Sequence, residues 1–451
     1  MSWEGKMRGK KWTVLVLLSA MFLWSMAGCR TSESRSDIPE TVPAEESPET
    51  DGGGEEKPFA GVTLTLLNFS SATPGGVLTA TCEAAEEKFG FHIEIEPCYD
   101  DNVVRTRLAI GDCPDLLVYN TGSLLYSLAP SEFFLDLTDT KMAEKLDSDF
   151  IRAASVDGVL YGIPQCDSMS AGVFYNKELY EAYGLEVPET WEEFRKNLEV
   201  LQHAGMDGMG ISLSELVSSQ LPFLADNYQV MYENPDFAQE FTHGETGFAD
   251  SHEGLRTWER YEELVPYLNE DCATASNQEI EDRFFDNRVG HLIQFSSRIP
   301  EWMNTYGDEI NKIGFFALPG DTKEATGLTI WPSNGIYGNK KSKNQEAILT
   351  FMEWYVSEEG QDVMTSFYSP AGVFHTGYQP KEKSIELVQE VQKYYTEGNV
   401  MLALEYLTPI KGINCAQICN KLGNGRISAL EAAEAYDEEC RKMALQIGLW
   451  E

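Results

Sequence analysis

Between residues 62 and 120 the chain alternates short apolar runs with amphipathic stretches: extended at 62–68, helical at 77–89, extended at 92–97, helical from 101, extended at 116–119. This βαβαβ rhythm predicts an α/β fold with a parallel sheet covered by helices. Ligands meet such sheets beyond the carboxyl ends of the strands, so Phe69-Ser70-Ser71 and Tyr119-Asn120-Thr121 are the first loops to consider for binding. Further on, Asp157-Gly158 between apolar residues reads as a tight hairpin, followed by a strand at 173–175. Thr190 and Glu193 have the spacing of a capping box, in which two side chains satisfy backbone donors at a helix start, and that helix should run to about residue 204. Helices at 254–268 and 278–286 and strands at 290–295 and 313–317 continue the pattern. Ser342 with Gln345 and Ser428 with Glu431 repeat the capping-box spacing, and the C-terminal third reads as mostly helical.

The first residues break this pattern. Lys6, Arg8, Lys10 and Lys11 precede an apolar run at 12–24, the layout of an export signal and too short to span a bilayer. The run ends in Met26-Ala27-Gly28-Cys29, which resembles the bacterial lipobox. Residues 1–28 are therefore expected to be a signal peptide, with Cys29 acylated and its acyl chains holding the protein on the membrane. From Arg30 to Lys57 the only sizeable apolar residues are Ile38 and Val42, too few to build a core. Residues 29–58 read as an acidic tether with a mean reach of roughly 30 Å.

Composition sharpens this. The formal net charge of −39 becomes −42 when residues 1–28, with four basic and one acidic residue, are removed. So acidic a body repels nucleic acid, and its charge reads as a solubilised exported surface. Eight cysteines follow Cys29: Cys82, Cys98, Cys113, Cys166, Cys272, Cys415, Cys419 and Cys440. An even number permits disulfides without choosing among 105 pairings, and buried free thiols are equally compatible.

Several segments then appear in one order: Cys113-Pro114-Asp115-Leu116-Leu117, the hairpin through Gly162-Ile163-Pro164, and Tyr175-Asn176-Lys177. Pro188-Glu189-Thr190-Trp191-Glu192-Glu193-Phe194, Phe284-Phe285-Asp286-Asn287-Arg288-Val289-Gly290 and Ser342-Lys343-Asn344-Gln345-Glu346-Ala347 follow. Together, behind a lipobox, they resemble the extracellular solute-binding proteins of the sugar-binding family that serve ATP-binding-cassette importers. The resemblance runs from about residue 62 to the end and implies a two-lobed periplasmic-binding-protein-like fold with hinge-crossing strands, a largely helical C-terminal part and ligand enclosed between the lobes. Crossings are expected near 119–122, 327–331 and 369–379. Lobe one would take 59–119 and 331–375, and lobe two 120–330 and 376–451.

By position, this resemblance makes Tyr119, Asn120, Trp331 and Asn334 candidate ligand contacts beside Phe69 and Ser70, with Trp331 as the stacking aromatic. Asp167, Ser168 and Glu215 fall in loops similar to the family's ligand-contacting segments, and carboxylates suit sugar hydroxyls because they accept short charge-assisted hydrogen bonds. The chain departs from the family at Phe295-Ser296-Ser297-Arg298, where a Gly-x-Trp is usual; Trp302 lies one turn further on. Arg298 would suit an anionic sugar or phosphorylated solute, or a salt bridge inside lobe two. No enzyme motif is complete: His252-Glu253-Gly254-Leu255-Arg256 lacks the second histidine of HExxH, and GxSxG, SxxK and Walker A patterns are absent. The expectation is a monomeric, lipid-anchored binding protein without catalytic residues, metal or cofactor. It would capture a mono- or oligosaccharide for the permease subunits of an importer. A surface glycan hydrolase, or a solute sensor or adhesin uncoupled from transport, is the alternative.

Overall fold

The computed structural model describes residues 57–69, 76–372 and 375–450. Residues 1–28, expected as a signal peptide, together with Cys29, most of the acidic stretch and Ser70, lie outside them. In chain order the strands are β1 (Thr63–Asn68), β2 (His92–Pro97), β3 (Leu116–Tyr119), β4 (Ser155–Val156), β5 (Val159–Leu160) and β6 (Gly162–Pro164). There follow β7 (Met169–Asn176), β8 (Asp207–Gly210), β9 (Val289–Phe295), β10 (Ile313–Phe316), β11 (Leu328–Trp331), β12 (Gly335–Gly338) and β13 (Val400–Leu402).

Eleven of them form two open sheets, one per lobe, and β4 and β5 pair in a separate hairpin. The first runs β2-β1-β3-β12-β6, with β1 parallel to both β2 and β3 and with β12 antiparallel to β3 and β6. The second runs β13-β11-β7-β9-β8, and β10 also pairs with β7. Period-two alternation gives each sheet two apolar faces. Leu64, Leu66, Leu116 and Val118 enter one core, whereas Leu67, Leu117 and Tyr119 enter another. In the second lobe Phe174, Leu292 and Ile330 face one way, and Val173, Ile293 and Trp331 the other. A helical core around Phe223, Trp258 and Tyr436 completes that lobe, and its last helix is Ala429–Gln446.

Local chemistry explains the elements. Asp157 and Gly158 take φ of 52° and 80°, the left-handed pair that a two-residue hairpin turn requires between β4 and β5. Capping boxes form at Thr190 with Glu193 and at Ser428 with Glu431, and a third at Ser276 with Glu279 starts the helix Asn277–Phe285. The expected box at Ser342 does not form. Its hydroxyl donates instead to the Asp115 carboxylate, and the helix Gln345–Tyr355 starts one residue after an uncapped Asn344. The eight described cysteines are unpaired, and the Cys415 and Cys419 sulfurs lie 4.0 Å apart in the helical core.

The boundaries drawn from sequence shift where the strands pair. After β3 the chain does not leave the first lobe: Leu137, Phe150 and Leu160 fill its core, and β6 takes the free edge of β12. Residues 120–164 therefore belong with the first sheet, and the first crossing is 165–168 rather than 119–122. The second is 332–334, between β11 and β12.

Inside the second lobe His291 is fully buried on β9. Its Nδ1 lies 2.8 Å from the Gly208 carbonyl and its Nε2 2.7 Å from the Tyr180 hydroxyl, which itself accepts from Asn197. The arrangement fits a neutral ring, and burial pulls its pKa down to about 4. Because the unfolded chain takes up this proton near pH 6.5 and the folded protein only near 4, stability should fall as pH drops across that window, by up to about 3 kcal/mol. Urea unfolding at several pH values checks this: His291→Gln should flatten the slope between pH 6.5 and 4, and an unchanged slope would count against a neutral buried ring.

Candidate functional site

The carboxyl ends of β1 and β3 deliver Phe69 and Asn120 to the gap between the lobes, and the end of β9 delivers Ser296 and Ser297 from the other side. The first two crossings supply its floor with Gln165, Asp167, Ser168, Ser333 and Asn334. Tyr368 and Tyr406 close it. The cavity measures about 190 Å³, roughly a dozen times what one water needs.

The floor is fixed by hydrogen bonds between crossings. Gln165 N–H donates to the Asn334 carbonyl at 2.9 Å, and the Thr121 hydroxyl donates to the Ser333 carbonyl at 3.2 Å. Asp167 is the one carboxylate among the described lining residues, which include no lysine or arginine. It accepts from the Tyr368 hydroxyl at 2.9 Å and from Gly372 N–H at 2.8 Å. Burial raises its pKa, against the lowering effect of these donors. Phe69 rests on Tyr119, ring centres 5.2 Å apart. Tyr406 reaches over from the second lobe, and its ring lies so near Gly122 that a Cβ there would meet it at 2.7 Å. Among the described residues no group of three or more His, Cys, Asp or Glu is disposed to hold a metal ion.

Of the residues singled out from sequence, Phe69, Asn120, Asp167, Ser168 and Asn334 line the cavity together. The others do not. Tyr119 is fully buried behind Phe69, with its hydroxyl on Asp101. Trp331 points to the inner face of β11, where its edge meets Phe295 at 5.1 Å and its Nε1–H donates to Glu405 at 2.7 Å. Glu215 accepts from the backbone and side chain of Asn277 at 2.8 and 2.6 Å, closing a helix start. Arg298 forms the salt bridge, binding the buried Glu281 at 2.6 Å and also Glu301. Trp302 is core, edge-on to Phe174. Sequence reasoning missed Tyr406, although it follows β13, whose parallel pairing with β11 ends at the cleft. Tyr368 lies beyond a helix and carries no such signal.

The family described as bacterial extracellular solute-binding proteins matches residues 80–392. The chain is 30% identical over 143 residues to a multiple sugar-binding protein of Streptococcus mutans, covering 31% of this chain and 34% of that protein. It is 30% identical over 193 residues to the melibiose/raffinose/stachyose-binding protein MelE of Bacillus subtilis, covering 42% and 39%. The matched stretches thus span well under half of those relatives' length. Among solved structures, a chitin oligosaccharide binding protein aligns with a TM-score of 0.71 over 85% of this chain and 99% of that one, at 18% identity. RafE in complex with raffinose aligns at 0.68 over 85% and 99%, at 17% identity. At these identities the shared property is the fold.

Arg298 and Glu281 give this geometry a direct test. Removing the arginine strands a buried carboxylate, so Arg298→Ala should lose about 3 kcal/mol in urea unfolding. An unchanged midpoint would show that Glu281 does not depend on it.

Proposed function

This chain belongs to the bacterial extracellular solute-binding proteins, and from that premise we propose that it captures an uncharged carbohydrate between its lobes. The observation that carries the reading is the lining. Amide and hydroxyl groups from both lobes surround the cavity with Phe69 and Tyr406, and its one acid is already bound by two donors. Such a mixture suits a ring with apolar faces and a hydroxyl edge. A phosphate or carboxylate would meet no cation among the described lining residues, and burying an unpaired charge is costly. The sugar names carried by the sequence relatives support the same class.

In this reading Phe69 and Tyr406 supply the apolar contacts, Asn120, Asn334 and Ser296 the hydroxyl partners, and ligand touching both lobes favours their closed arrangement. The protein binds without turnover. It is held at the extracytoplasmic face of the membrane through Cys29, acts as a monomer and delivers its solute to the permease of an ATP-binding-cassette importer. The lipobox, the export signal and the family support these assignments.

Two measurements test the reading. In a thermal-shift panel of neutral sugars, sugar acids and sugar phosphates, only neutral sugars should raise the midpoint. Calorimetry with the best of them should show Phe69→Ala weakening binding roughly tenfold, about 1.4 kcal/mol of lost contact. Selective stabilisation by an acid or phosphate would overturn the uncharged assignment. The anchor is tested in cells: Cys29→Ala should leave the protein unprocessed or released, and processed protein still retained on salt-washed membranes would refute it.

A further inference from the structure

The chain after the helix Glu358–Thr365 visits the second lobe and comes back. Tyr368 sits in the first lobe's core, and Ala371 packs among Leu387 and Val388 of the second. By Thr376 the backbone is again on the first lobe, where its N–H donates to the Lys145 carbonyl at 2.7 Å. Residues 369–372 are thus a finger of one lobe inserted into the other. Its tip is fastened there, since the Pro370 carbonyl accepts from Gln392 at 2.8 Å.

Asp167 holds both ends of this finger. One carboxylate oxygen takes the Tyr368 hydroxyl at its base, and the other takes Gly372 N–H just beyond its tip. The fit is tight, because a Cβ on Gly372 would stand 1.9 Å from the Ser168 carbonyl oxygen. We propose that Asp167 is a positioning residue for lobe movement: its carboxylate fixes the finger 369–372 to the first crossing, and the seated finger limits how far the cleft opens. One hydrogen bond engages each carboxylate oxygen, leaving a ligand hydroxyl only the remaining lone pairs. Rotation of the lobes must either carry the finger along or break both bonds. Burial that disfavours the free carboxylate makes their loss harder to replace with solvent.

The inference rests on reading the gap as a binding cleft, yet its test needs no ligand. Asp167→Asn removes the charge and one acceptor; Gly372→Ala leaves Asp167 intact and pushes the finger off the crossing. In the ligand-free mature protein both should speed amide exchange across 366–376 about tenfold, the loss of one charge-assisted bond. Both should also enlarge the radius of gyration by small-angle scattering. Tyr368→Phe, which removes only one of the two bonds, should give a smaller change of the same kind and serves if either variant fails to fold. Wild-type exchange and radius in the folded variants would overturn the proposal. So would a changed ranking of sugars in Asp167→Asn with the radius unaltered, because that is the signature of direct ligand contact. Failure of the wild-type protein to bind any sugar would sink the carbohydrate reading and leave the scattering comparison standing.

Discussion

A chain that passes between two sheets must leave both ladders, and the backbone groups exposed in passing need partners. Here the crossing segments supply one another. Residues 165–166 pair with 333–334, Thr121 reaches Ser333 from the end of β3, and Asp167 gathers donors from the loop after Tyr368. The hydrogen bonds of this braid tie the two sheets together and leave the open space of the cleft above them. Most of the lining groups are presented by the braid or by a strand that ends at it, and Tyr368 comes from the loop after a helix.

Charge is handled by exclusion. An acidic chain folds so that the described lining of the cleft keeps one carboxylate, already bound, while cations sit elsewhere. Arg298 neutralises Glu281 behind the β9 end, and Arg260 meets the fully buried Asp226 at 2.9 Å within the second lobe. Such pairs cost desolvation on both sides and persist only when both partners are present. The cavity is left to dipoles, which discriminate by geometry rather than by net charge.

Signals confined to a few residues were readable in advance. The alternation of 62–119, the Asp157-Gly158 turn and the boxes at Thr190 and Ser428 each involve neighbours in sequence, and each forms. The errors involve choices between distant partners. Nothing in Ile163-Pro164 reveals that β12, far along the chain, offers the edge it joins. Ser342 sits at capping distance from Gln345 yet bonds Asp115, the residue just before β3. Trp331 ends β11 just before the crossing at 332–334, and strand parity turns it inward; Arg298 takes the salt-bridge alternative, with Glu281 on a neighbouring helix. Position along the chain brings several of the named residues to one cavity, whereas side-chain direction depends on pleat and packing.

The interior place of β12 in the first sheet has a kinetic side. β12 lies between β3 and β6, so that sheet stays incomplete until residue 338 has been made, long after β1, β2 and β3 are available. Folding dominated by such distant pairings is slow, since loop closure precedes any reward from contact. For a member of an extracellular family, such a delay favours a chain that is still threadable while it leaves the cell. With eight thiols that need no pairing, the late assembly proceeds without waiting for an oxidant.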